Sequence, residues 1–155
     1  MPKVNVTRKL KCSAEVAFEV LEDVGSYRQF LPFVKESRIL ARAVLPNKQV
    51  KASTHLRITA KKLGLDEKFI SEVVFDRAAL GLTMKAADGP IKKLDAVWSL
   101  KPLSPRQCEI TLSMDLSMKS MAMQFFLTGA LDFVVRRLFS AFEARALETQ
   151  AMEAV

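Results

Sequence analysis

The stretch Gln107–Met118, QCEITLSMDLSM, decides the fold. Cys108, Ile110, Leu112, Met114, Leu116 and Met118 alternate with Glu109, Thr111, Ser113, Asp115 and Ser117. A period of two marks a strand with one buried face. At Lys119–Ser120 the period becomes helical and stays so to about Thr149. A one-faced strand feeding a long one-faced helix hides its apolar surface when the helix lies across a sheet. Held in a curved sheet, such a helix is expected to leave a cavity.

Working outward, Val4 to Cys12 reads as a strand, with Val4, Val6, Leu10 and Cys12 on one side. Ser13 is a good N-cap for a short helix over Ala14–Leu21. Asp23–Val24–Gly25–Ser26 interrupts it, and Tyr27 to Leu31 forms a second short helix ended by Pro32. Strands follow over Phe33–Val44, Gln49–Ala60, Lys68–Phe75 and Leu80–Ala86. In the second of these, Val50, Ala52, Thr54, Leu56, Ile58 and Ala60 face one way, and Lys51, His55, Arg57 and Lys61 the other. Gly64 and Asp88–Gly89–Pro90 mark turns. Leu94, Ala96, Trp98 and Leu100 define a sixth strand, with Pro102 and Pro105 bounding the next turn. One strand, two short helices, six strands and a long helix imply an α+β layer architecture with an antiparallel sheet.

The last helix carries Leu127, Leu131, Val134, Val135, Leu138 and Phe142 at the spacing of one buried stripe. Phe125, Phe126, Phe133 and Phe139 fall off that stripe. They belong either to a wide buried face tucked under loops or to a lining that meets lipid, with adjacent arginines reaching phosphates. Gly129, in mid-helix, leaves room either for a ligand or for close helix–sheet packing. Met84, Met114, Met118, Met121 and Met123 fall near the inner face and the start of this helix. There they fill a core or adapt to varied apolar ligands.

The length of 155 residues favours one domain spanning 1–155. Half of the residues are hydrophobic, enough for a substantial core. The net charge of +7 points to an anionic partner, a lipid surface or nucleic acid. Thirteen basic and five acidic residues lie within positions 1–62, so the basic character belongs to the N-terminal part. Cys12 and Cys108 read as small buried hydrophobes, not as a disulfide scaffold. The N-terminus has no apolar core of a secretory signal, and the greasy run Met121–Val135 is too broken to span a bilayer. A cytoplasmic protein is expected.

Little in the chain can do chemistry. His55, the one histidine, sits among Lys51, Arg57 and Lys61 and reads as a surface residue. No zinc ligand spacing, P-loop or dinucleotide fingerprint occurs. Glu109, Asp115 and Asp95 lie on polar faces, solvated or paired with a neighbouring lysine. The basic face from Lys35 to Lys62 lacks the aromatics that stack on single-stranded bases. These features read as a binding protein, not an enzyme.

Tyr27-Arg-Gln-Phe-Leu-Pro-Phe-Val-Lys-Glu-Ser37 resembles the Y-P-x-F-L-P-W-C-x-x-S segment of the coenzyme Q-binding START-like proteins. Gly89-Pro-Ile-Lys-Lys-Leu-Asp-Ala-Val-Trp98, with Pro102–Leu103, is similar to their G-P-F-x-x-L-x-x-x-W…P-L segment. Cys108–Glu109 and Ala141-Phe-Glu-Ala-Arg-Ala146 are similar as well, so the likeness runs in order along nearly the whole chain. Arg28, Phe33 and Val34 stand where that pattern has proline, tryptophan and cysteine.

This resemblance implies a helix-grip fold of the START or birch-pollen-allergen kind: seven antiparallel strands wrapped around the long C-terminal helix and an apolar cavity. It implies ubiquinone or another prenyl lipid as bound ligand, no further cofactor, and a carrier or chaperone role in respiration or quinone biosynthesis. The expected cavity has Leu56, Leu94, Trp98, Ile110, Leu112 and Met114 on the sheet side. Phe126, Leu131, Val135 and Leu138 lie on the helix side, with Tyr27, Phe30, Leu31 and Phe33 at its lid or entrance. Lys51, Arg57, Lys61, Arg136 and Arg137 are the expected contacts to an anionic membrane, at the inner membrane's periphery. Within the same superfamily a ribosome-associated, toxin-like inhibitor of subunit association is the alternative. An aromatase/cyclase-type enzyme is a third reading, needing a buried polar group such as Tyr27 or Thr54.

Overall fold

The computed structural model describes residues 3–61 and 64–153. The elements run β1 (Lys3–Leu10), α1 (Ala14–Glu22), a 3-10 turn (Val24–Ser26), α2 (Tyr27–Phe30), β2 (Val34–Val44), β3 (Val50–Ala60), β4 (Leu65–Asp76), β5 (Gly81–Asp88), β6 (Ile91–Ser104), β7 (Gln107–Met118) and α3 (Met121–Glu153). The strands form one antiparallel sheet in the order β1-β7-β6-β5-β4-β3-β2. Strands β1 and β2 are therefore the two edges, and α1 and α2 make the crossing between them. The expected α+β helix-grip architecture is the one present.

Alternation decides which face is inner. Cys108, Ile110 and Leu112 on β7, and Leu94, Ala96, Trp98 and Leu100 on β6, are buried beneath the helices. Their odd-numbered neighbours face outward, where Lys93 bridges Asp115 at 3.0 Å and Asp95 at 3.8 Å. Ser13 caps α1 by accepting from the Val16 N–H, and its own N–H donates to Gln150 on α3 at 2.7 Å. That bond ties the start of α1 to the end of the long helix.

Several boundaries differ from the sequence reading. Pro102 lies within β6, paired with Cys108, not at its end. Strand β5 runs alongside β6 only as far as the Gly81–Ser99 pair, so the missing N–H of Pro102 breaks no ladder bond on that side. Strand β2 starts at Val34 because Phe33 adopts a left-handed φ of 71°. Lys62, the limit of the basic segment, lies outside the described residues.

The buried stripe of α3 keeps Leu131, Val135 and Phe142 of the expected one, while Leu127, Val134 and Leu138 are only half-buried. It comprises Leu131, Val135, Phe139, Phe142 and Ala146, so Phe139 is core and not an off-stripe residue. Its ring lies 5.6 Å from Trp98, and Arg8 of β1 stacks on it at 5.4 Å. Phe142 meets Trp98 at 5.4 Å, Phe30 at 5.6 Å and Tyr27 at 5.7 Å. These aromatic contacts close the groove beneath the C-terminal half of the helix.

Candidate functional site: the seam between the second and third helices

The site begins at the corner after α2. Leu31 is extended (φ −80°, ψ 131°), as the residue before a proline prefers. Phe33 then takes the left-handed conformation, a strain of about 1–2 kcal/mol for a residue with a Cβ. Its carbonyl accepts the Thr59 N–H at 2.7 Å, which pins the corner to β3. Ser37 holds the other side, donating to the Gly25 carbonyl and accepting the Arg28 N–H. Tyr27 donates its hydroxyl to the Leu21 carbonyl. Burial first, and the Asp23 charge second, push its phenol well above the usual tyrosine range.

Between this corner and α3 lies an open cleft of about 430 Å³, lined by Gln29, Phe30, Leu31, Pro32, Arg137, Ser140 and Ala141. That size is within the range of small-molecule sites. Arg145 donates to Gln29 at 2.9 Å and stacks over Phe30 at 5.0 Å. Arg137 stacks over Phe133 at 5.6 Å. The cleft thus has an apolar floor with an amide, a hydroxyl and two guanidinium groups at or beside its rim.

Burial falls off along the groove toward the start of α3. Phe69, Met84, Ala86, Ile91, Met114 and Leu116 are only partly buried, although all pack against the core. Leu127 is the matching half-buried residue on the helix. On the inner face, Ala52, Val73, Met84, Ala96, Met114 and Val4 are successive partners in one row across the sheet. Small alanines and flexible methionines in that row make an adaptable apolar floor. The adjoining Thr54–Ser71 pair is fully buried, its hydroxyls 2.6 Å apart.

The expected cavity residues are distributed as follows. Tyr27, Leu31, Leu56, Leu94, Trp98, Ile110, Leu112, Leu131 and Val135 are buried. Phe30, Phe33, Met114 and Leu138 are half-buried, and of these Phe30 joins Leu31 in lining the cleft. Phe126 is exposed, on the side of α3 opposite the buried stripe. A Cβ at Gly129 would meet nothing within 4 Å, so close helix–sheet packing does not explain that glycine.

The five expected membrane cations do not share a surface. Lys51 and Arg57 point outward from β3, and Lys61 follows that strand, whereas Arg136 and Arg137 project from α3 on the inner side. Arg57 is engaged by Asp66 through two bonds of 2.8 and 2.9 Å, and Arg136 pairs with Asp132 at 3.1 Å.

Gln29, Ser140 and Arg145 were absent from the expected set. Arg137, Ala141 and Arg145 recur at four-residue steps on one side of α3, which is the signal that could have found Arg145. Chemically the cleft is equipped to bind. Its lining offers no carboxylate, imidazole or thiol. Cys12 and Cys108 are free and buried beside each other, and the neighbouring thiol together with burial holds Cys108 far above the ordinary thiol range. Among the described residues no helix is long and apolar enough to cross a membrane.

Comparison with known proteins adds to this geometry. Residues 10–143 match the family model described as polyketide cyclase / dehydrase and lipid transport. The chain is 29% identical over 150 residues to the ribosome association toxin RatA of Escherichia coli K12, covering 96% of this chain and 89% of that protein. Among solved structures it is similar to the ZhuI aromatase/cyclase of Streptomyces sp. R1128, with a TM-score of 0.81 at 16% identity, covering 94% and 93% of the two chains. A START superfamily protein from Mycobacterium smegmatis matches with a TM-score of 0.79 at 22% identity, covering 94% and 97%.

Proposed function

Because the chain belongs to the polyketide cyclase / dehydrase and lipid transport family, we propose that it binds an apolar lipid of the prenyl-quinone class, ubiquinone being the first choice, and carries it without catalysing its conversion. The observation that carries this reading is the cleft between the Gln29–Pro32 corner and Arg137–Ala141; the partly buried floor of Met84, Ala86, Met114 and Leu116, toward the start of α3, is a separate apolar surface on the same inner face. A prenyl chain in water is costly, roughly 0.8 kcal/mol for each exposed CH₂, so even partial shelter favours binding. Gln29, Ser140 and Arg137 offer donors to the carbonyl oxygens of a quinone head. The lining supplies no general acid or base, which favours a carrier over a cyclase.

The test uses the single tryptophan. Trp98 touches Phe142, which in turn touches Phe30 of the cleft, so its fluorescence reports on a guest. Saturable quenching by a short-chain ubiquinone, with prenyl lipid in solvent extracts of the purified protein, is the expected result. No saturation and no extracted prenyl lipid overturns the reading.

A second reading has its own support. The relatives named ribosome association toxin align over nearly the whole chain. Arg38 and Lys51 stand exposed on the outer sheet face, away from the cleft. Co-sedimentation with ribosomal subunits that salt abolishes, together with indifference to quinone, would favour it over the carrier.

A further inference from the structure

Met121 and Phe139 lie eighteen residues apart on α3, about five full turns of an α-helix, so they leave the axis in the same direction. Phe139 is 1% exposed and Met121 is 89% exposed. The first turn is tied to the end of β7, where Gln124 accepts the Met118 N–H at 2.7 Å, yet beside that tie the helix leaves Met121 and Phe125 bare. Phe125 is 85% exposed, and Phe133 and Phe126 are 49% and 41% exposed. Met121, Phe125, Phe133 and Phe126 fall within an arc of about 140° at 3.6 residues per turn. Scattered single apolar residues need no explanation, but four large ones on one side of the same helix do.

Charge indicates what covers them. From Lys119 to Phe142 the helix segment holds Lys119, Arg136 and Arg137 against one carboxylate, Asp132, which Arg136 already engages. From Glu143 to Glu153 the balance reverses, with Glu143, Glu148 and Glu153 against Arg145. The Lys119 N–H donates to the Pro90 carbonyl at 2.9 Å, which brings the β5–β6 turn to the same end, with exposed Lys92 just beyond it and Asp88, turned onto the Gly89 N–H, just before it. Aromatic and thioether side chains rimmed by cations are the chemistry of an anionic bilayer interface. The geometry points to the first turns of α3 as the surface by which this protein docks on an anionic lipid membrane, Met121 and Phe125 entering the headgroup layer and Lys119 and Lys92 meeting lipid phosphates. The half-open end of the groove, beside Leu127 and Leu116, then faces the bilayer. The inference deepens the carrier reading, on which it rests for the cargo but not for the contact itself.

The experiment measures partitioning onto vesicles of phosphatidylcholine alone and of phosphatidylcholine with phosphatidylglycerol, for the full chain and for the double variant Met121→Ser/Phe125→Ser. Short-chain ubiquinone titration without vesicles runs in parallel. The full chain should prefer the anionic vesicles, and the double variant should lose at least tenfold in partitioning while its quinone titration is unchanged. Lys92→Glu/Lys119→Glu should remove the preference for phosphatidylglycerol. Undiminished partitioning of the double variant, or no vesicle binding by a full chain that still binds quinone, overturns the docking surface and leaves the carrier reading standing. Vesicle binding that depends on Met121 and Phe125 without any quinone binding does the reverse. Loss of ribosomal-subunit binding in the double variant, with vesicle binding intact, assigns the surface to the ribosome and also overturns the proposal.

Discussion

Trp98 on β6 and Phe142 on α3 meet with ring centroids 5.4 Å apart, and through this contact the long helix is clamped to the sheet. Phe142 also carries Tyr27 and Phe30 edge-on, so one side chain joins three elements. Phe142→Ala should cost roughly 3–5 kcal/mol, as large-to-small changes at buried aromatics do. Denaturant titration should show a lower midpoint with an unchanged slope. A loss below about 1 kcal/mol would mean that the helix is held elsewhere.

The Thr54–Ser71 hydroxyl pair is buried and mutually satisfied. Thr54→Val should destabilise by about 1–3 kcal/mol by leaving the Ser71 hydroxyl without this partner. Adding Ser71→Ala should restore most of that loss, because neither member then needs a partner. A double-mutant cycle in urea reads the coupling.

Two glycines should respond in opposite ways to alanine. Gly129 has open space around it in the interior of α3, so Gly129→Ala should stabilise by about 0.5–1 kcal/mol and raise Tm. Gly89 has φ +117°, and a Cβ there would lie 2.7 Å from the Phe69 Cβ and 2.9 Å from the Lys68 carbonyl oxygen. Gly89→Ala should cost at least ~2 kcal/mol and lower Tm.

Tyr27 is the only tyrosine, which makes its titration directly visible. Its phenol ionises near pH 10 in the unfolded chain, whereas burial raises it in the folded protein. The sign follows from linkage: the neutral phenol's contribution is fully present below about pH 10 and drains away as pH rises toward the folded value. Tyrosinate absorbance should therefore appear together with loss of the near-ultraviolet circular dichroism of Trp98. Tyrosinate forming in a protein that keeps that signal would show the phenol to be solvated.

Much of the architecture was legible because each strand had one polar and one apolar face. The alternation from Cys108 to Leu112 and from Leu94 to Leu100 reappears residue by residue as the inner face. The cap at Ser13 was equally plain, a local interaction three residues long. The buried stripe of α3 was harder to read. Apolar residues occur nearly all round its first half, so periodicity alone could not show which row meets the sheet. Phe139 was assigned to the core by Trp98 and Arg8, two partners on other strands. The cleft was less legible still. Gln29 and Arg145 are 116 positions apart, and no window of sequence contains both. The turn at Phe33 was invisible for a different reason, since a left-handed aromatic residue violates the local preference that sequence reading relies on.

The pairing of β1 with β7 has a consequence for how the molecule comes into being. Lys3 is matched to Asp115 and Leu10 to Cys108, so the first strand made finds its partner only after nearly all the others exist. Such distant pairings fold slowly and leave edges bare in the meantime. A chain halted before Met118 would have a concave floor covered only by α1 and α2, with Trp98 stripped of Phe139 and Phe142. Emergence of the last helix is therefore the step that covers this floor, and truncations within Met121–Glu153 should yield aggregates rather than smaller versions of the fold.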